Sequence, residues 1–117
     1  MKKLCVFAGM AILTLTLTYC HSSKKATASV AVKATYATTL SPVIAEKCTP
    51  CHFPSKGGNK KAYDNYANVK ADIDEILRRI DLNPSDRGFM PFRRATKLAA
   101  DTIAIFRKFK EDGALEN

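Results

Sequence analysis

Cys48-Thr49-Pro50-Cys51-His52 places two thiols three positions apart and an imidazole directly after the second. Each thiol at this spacing can add to one vinyl group of a porphyrin, and a histidine in the next position is then held beneath the iron. C-x-x-C-H therefore reads as the covalent attachment site of a c-type haem, with Cys48 and Cys51 as the attachment points and His52 as an axial iron ligand. Two other chemistries use C-x-x-C. A structural zinc site needs four Cys or His ligands, and beyond residue 20 the chain offers only Cys48, Cys51, His52 and His21. Adjacent Cys51 and His52 fit poorly on one ion. A thioredoxin-type redox pair needs a preceding strand in an α/β domain, and no parallel-strand pattern is present.

Iron held by one histidine needs a group on its other face. Met90 is the only methionine beyond residue 10, and it sits in the loop Gly88-Phe89-Met90-Pro91-Phe92. A thioether is a soft, neutral ligand that favours ferrous iron and raises the reduction potential of a His/Met haem. Met90 as core filler is the plainer alternative, although a lone Met in a proline loop is a poor core position. His21 as a second imidazole ligand lies in a polar stretch far from this loop.

The elements that must position these groups are helical. Ser41 serves as a helix cap with Pro42 at the first helical position, and Leu40, Val43, Ile44 and Lys47 lead into Cys48. Pro54, Gly57 and Gly58 break regular structure between Phe53 and Ala62. A second helix capped by Asn68 carries Val69, Ile73, Ile76, Leu77 and Ile80 at three- and four-residue spacing. It stops before Asn83-Pro84. The third spans about Ala99 to Asp112, with Ala99, Thr102, Ile103, Phe106 and Phe109 on one face and Gly113 as the stop. No strand is expected here, so the fold class is all-α, with about three main helices around one covalent cofactor.

At 117 residues and 46% hydrophobic content the chain suits one small domain, which a large apolar cofactor would help to stabilise. Three regions are expected: 1–19 as a signal peptide, 20–38 as a flexible tether and 39–117 as the haem domain. Lys2-Lys3 and the apolar run Leu4–Tyr19 supply the basic and hydrophobic parts of an export signal, too short for a confident span. Leu17-Thr18-Tyr19-Cys20 has the form of a lipobox, with Tyr19 standing where a small residue is usual. Cys20 is the expected lipid attachment, which would place the domain on the periplasmic side of a membrane. The Ser-, Thr-, Ala- and Lys-rich stretch after it reads as the tether, with a short strand through Val30, Val32 and Tyr36 as the alternative.

The net charge is +8, and about +6 once Lys2 and Lys3 are removed. Such a surface suits a redox partner with an acidic docking face or an anionic membrane. No nucleic-acid partner is expected for an exported chain, and a monomer is.

With C-x-x-C-H, a downstream Met-Pro and a helix on either side, the chain resembles small monohaem class I cytochromes c. The likeness is in particular to bacterial forms ending M-P-x-x-x-x-x-L-S…W-I-x-x-G-A. It covers about Thr39 to Ala114 and is carried by Pro42-Val43-Ile44-Ala45-Glu46-Lys47-Cys48, Cys51-His52, Met90-Pro91, Leu98 and Gly113-Ala114. The resemblance implies a cytochrome c-like fold in which the first and last helices cross, Leu40 and Ile44 meeting Ile103 and Phe106. It also implies Ile44, Pro54, Pro91 and Phe106 as packing around the haem, and the Pro54 carbonyl as acceptor for the His52 ring N–H. Ala99 stands where a capping Ser is usual, which removes a hydrogen bond worth about 1 kcal/mol. Phe109 replaces a common Trp, and Lys110 a common apolar residue. Lys56, Lys60, Arg87, Arg93 and Arg94 are in reach of the haem propionates by sequence.

The expectation is an electron carrier with His/Met-ligated iron, and not an enzyme. A haem peroxidase or gas sensor would want a distal His, and none follows His52. A haem domain of a larger oxidase or dehydrogenase complex is the other alternative, against which stand the leader and tether.

Overall fold

The computed structural model describes residues 32–117. The leader, Cys20, His21 and the tether up to residue 31 lie outside the described residues. Among those described there is no strand, only an isolated bridge between Thr35 and Leu115, and no helix is long and apolar enough to cross a membrane. The fold is all-α.

The chain enters as a π-helical turn, Tyr36–Leu40, that runs straight into α1, Ser41–Lys47. Thr35 caps the turn through Oγ1, which accepts the Thr38 N–H at 3.3 Å. Pro42 has no N–H to donate, so the wide π ladder closed by Ser41 N–H on Tyr36 O gives way to α geometry at that point. Ser41 is therefore inside the helix and not its cap.

This start is earlier than the sequence predicts. Ala34, Thr35, Tyr36 and Leu40 are buried, so the domain takes in residues assigned to the tether. Their burial comes from the far end of the chain. Tyr36 N–H donates to Leu115 O at 2.8 Å, Ala37 N–H to Glu116 O at 3.0 Å, and Ala34 N–H to Asp112 Oδ2 at 2.6 Å.

Helix α2, Tyr66–Ile80, is capped by Asn65, whose Oδ1 accepts the Asn68 N–H at 3.0 Å. Asn68 was the expected cap; its amide instead donates to Ala62 O at 2.9 Å. Val69, Ile73, Ile76 and Ile80 are buried as their spacing predicts. A lone helix of this length is marginal in water, and burying each of these side chains contributes roughly 1.5–3 kcal/mol. The core therefore holds the helix, with Arg78 and Arg79 favourably placed at its negative end.

Helix α3, Ala100–Glu111, buries Ile103, Phe106 and Phe109. Ala99 gives it no side-chain cap, as expected. Its end is a Schellman turn: Ala114 N–H donates to Phe109 O at 2.8 Å and Gly113 N–H to Lys110 O at 3.0 Å, with Gly113 at φ 98°. α3 packs against α2 and the Tyr36–Leu40 turn. Leu40, Ile44, Ile103 and Phe106 belong to one core.

Candidate functional site

Helix α1 delivers the two cysteines at its C-terminus. Cys48 is the C-cap, its N–H on Ile44 O at 2.9 Å, and His52 N–H turns back to Cys48 O at 3.1 Å. Both thiols are free. Cys51 is exposed, whereas burial first, and the neighbouring Cys51 second, pushes the Cys48 thiol up to about 11. The Thr49 hydroxyl between them is buried without a partner.

The loop that follows folds back on this turn. A 3₁₀ turn at Pro54–Lys56 ends in left-handed Gly57, and Gly58 then passes against the motif. A Cβ at Gly58 would lie 2.2 Å from Pro50 O and 2.5 Å from Cys51 O, so only glycine allows this approach. The returning strand of chain bonds to the motif's carbonyls, Lys60 N–H to Cys51 O at 3.0 Å and Tyr63 N–H to His52 O at 2.9 Å.

That return determines the His52 tautomer. Nδ1 lies 2.7 Å from the carbonyl oxygen of Lys61. A carbonyl only accepts, so Nδ1 carries a proton, and in the neutral imidazole Nε2 keeps its lone pair for a metal. The acceptor is thus not the Pro54 carbonyl that the resemblance to class I cytochromes c implies. Pro54 is exposed, and its carbonyl receives the Gly57 N–H at 3.0 Å.

Tyr63, which sequence reasoning missed, stacks on the His52 ring with centroids 4.3 Å apart and planes 6° from parallel. Its hydroxyl donates to Asp72 Oδ2 at 3.1 Å, and Lys61 Nζ meets Asp72 Oδ1 at 2.7 Å. Burial, followed by the Asp72 charge and hydrogen bond, pushes the Tyr63 phenol up to about 12. The phenol therefore stays a donor. The Arg79 charge works against that rise.

Arg79 connects this neighbourhood to Met90, whose N–H donates to Arg79 O at 3.2 Å. Met90 is half-buried against the same core as Cys48. Its loop is braced by Asn83 N–H on Asp86 Oδ2 at 2.8 Å and by buried Phe89. Beyond half-buried Pro91, Phe92 is 68% exposed, with the Arg93 guanidinium 5.3 Å from its ring centre. Arg94 lines a cavity of about 160 Å³ together with Lys47, Lys97, Leu98 and the start of α3. Among the described residues no three His, Cys, Asp or Glu side chains converge to hold a metal ion. With no strand among the described residues before Cys48, the thioredoxin-like reading has no scaffold there.

No family model matches the chain, and neither a curated protein nor a solved structure matches it.

Proposed function

We propose that the chain is a monohaem c-type cytochrome that carries single electrons between periplasmic or membrane-bound redox partners, and that its fold is cytochrome c-like. The observation that carries the reading is the His52 tautomer within C-x-x-C-H: Nδ1–H is committed to Lys61 O, which leaves Nε2 as a metal ligand. The donor set fits a c-type haem. Two free thiols sit on one turn, a ligating imidazole follows them, and a half-buried thioether shares the core with Cys48. Cys48 and Cys51 would hold the porphyrin, and His52 and Met90 the iron. When bound, the haem supplies a one-electron iron couple.

The chain's own residues insulate, orient and present the site. Ile44 and Phe106 are fully buried in the core against which Cys48 packs. The Met90 loop presents charge: from Arg87 to Ala100 there are four Arg or Lys and no carboxylate. Over residues 32–117 fifteen basic residues face eleven acidic ones, so outside this loop eleven face eleven and the balance is even. Arg87, Arg93 and Arg94 join no ion pair among the described residues. An acidic redox partner suits this face. The protein acts as a monomer and a carrier, not as an enzyme.

The reading is tested by mass spectrometry of denatured protein made with the export and c-type maturation systems. A polypeptide mass lacking the haem increment overturns it. We also place the domain on a membrane through lipid at Cys20. Cys20→Ser is expected to release haem-loaded protein into the periplasmic fraction, and equal fractionation of variant and wild type overturns the anchor alone.

A further inference from the structure

The contacts around His52 close into a ring. Its Nδ1–H meets the Lys61 carbonyl at 2.7 Å, the Lys61 ammonium meets Asp72 Oδ1 at 2.7 Å, Asp72 Oδ2 accepts the Tyr63 hydroxyl at 3.1 Å, and the Tyr63 ring lies on the imidazole at 4.3 Å. We propose that Asp72, on α2 and twenty positions from His52, is a positioning residue that fixes the axial imidazole through Lys61 at its edge and Tyr63 on its face.

One hydrogen bond leaves a ring free to rock about the bond axis. A second constraint on its face removes that freedom, and outer contacts of this kind orient metal-bound histidines and tune their basicity. Asp72 supplies both constraints because its two oxygens engage the two residues that touch His52. Lys61 and Asp72 are partly exposed, at 48% and 24%, so a lone pair of this type would add little stability. Its role is geometric and electrostatic. The Lys61 and Asp72 charges cancel beside the imidazole, and removing either leaves the other uncompensated.

The proposal rests on the haem reading and makes a prediction that simple structural support does not. In the haem-loaded protein, Asp72→Asn leaves Lys61 unopposed, which favours the electron-rich ferrous state and raises the reduction potential. Lys61→Met, which keeps the backbone carbonyl, lowers it. The double variant returns towards wild type, and Asp72→Glu restores the wild-type value. Tyr63→Leu alters the electron paramagnetic resonance g-values of the ferric protein with no change of charge. Potentials that do not move, or that move with the same sign in both single variants, overturn the clamp while leaving covalent haem intact. A second readout needs no haem: exchange of the His52 Nδ1 proton, followed by ¹⁵N-resolved NMR on the full chain, is expected to quicken severalfold in Asp72→Asn. An unchanged exchange rate overturns the clamp, whereas a missing haem mass overturns only the cytochrome reading.

Discussion

The backbone N–H of Ala34 donates to Asp112 Oδ2 at 2.6 Å, joining the two ends of the domain across 78 positions of sequence. Lys108 first, and this N–H second, hold the Asp112 carboxyl below the usual carboxylate range. Ala34 is 3% exposed, so loss of the acceptor strands a buried donor, a cost of about 1–3 kcal/mol. Asp112→Ala is expected to lower stability by that amount in urea unfolding, and Asp112→Asn, which keeps an oxygen acceptor, by less. Equal loss in both variants would point to the charge and away from the hydrogen bond.

Adjacent glycines should respond differently to alanine. At Gly58 the obstacle is the backbone of Pro50 and Cys51, which cannot swing aside, so Gly58→Ala should cost about 3 kcal/mol or more. Gly57 has open space and only its left-handed φ of 79° to satisfy, a strain of about 1 kcal/mol. Thermal melts of the two variants give the order, and a Gly58→Ala protein as stable as Gly57→Ala would contradict the close approach.

Under the proposed cytochrome reading, Met90→Ala should leave haem attachment intact, since attachment would require only the two thiols and His52. The variant is expected to have a lower reduction potential and to bind carbon monoxide, because the proposed ligand that favours ferrous iron has gone. The near-infrared sulfur-to-iron band of the ferric protein is the direct check. Its persistence in the variant would remove Met90 from the iron.

Acid stability should depend on Glu75. Hydrogen bonds from Arg78 and then Arg79 lower its carboxyl to about 2, whereas in the unfolded chain a Glu titrates near 4.3. The folded state thus stays ionised where the unfolded state takes up a proton. The contribution is complete above about pH 5 and is lost as pH falls towards 2. The Glu75 side chain is 43% exposed, so salt should shrink the effect. Glu75→Gln should flatten the stability profile between pH 5 and 2, as read from denaturant midpoints at each pH.

Under the same proposed reading, charge reversal on the Met90 loop should change electron-transfer rates without loss of haem. Arg93→Glu with Arg94→Glu is expected to slow oxidation by the anionic hexacyanoferrate(III) several-fold at low salt and to flatten its ionic-strength dependence. Stopped-flow absorbance gives the rates. An unchanged rate would move electron exit away from this loop.

The inner faces of α2 and α3 were legible because they depend on local spacing. Val69, Ile73, Ile76 and Ile80, like Ile103, Phe106 and Phe109, fall where a 3.6-residue period puts them. Tyr36–Leu40 was not legible. Tyr36, Leu40 and Ile44 fall at four-residue spacing and are all buried, but the Ala and Thr residues between Tyr36 and Leu40 mask that period, and the segment's order comes from Leu115, Glu116 and Asp112. Asn65 and Asn68 could each cap α2, and only the path of the loop decides between them. Lys61 replaced Pro54 as the partner of His52 for a related reason: the chain reverses at Gly57 and Gly58 before returning alongside the motif. Tyr63 and Asp72 join the site through that reversal, and no spacing rule connects them to His52.

The pairing of Tyr36 and Ala37 with Leu115 and Glu116 has a mechanical meaning. A pull applied upstream of Ala34 meets the bonds to Asp112, Leu115 and Glu116 before it reaches α1. These bonds act as a latch that diverts the load into α3 and the Schellman turn at its end. Cys48, at the far end of α1, is thereby shielded from tension, and the two thiols can keep their relative placement while the domain is tugged from its N-terminal side.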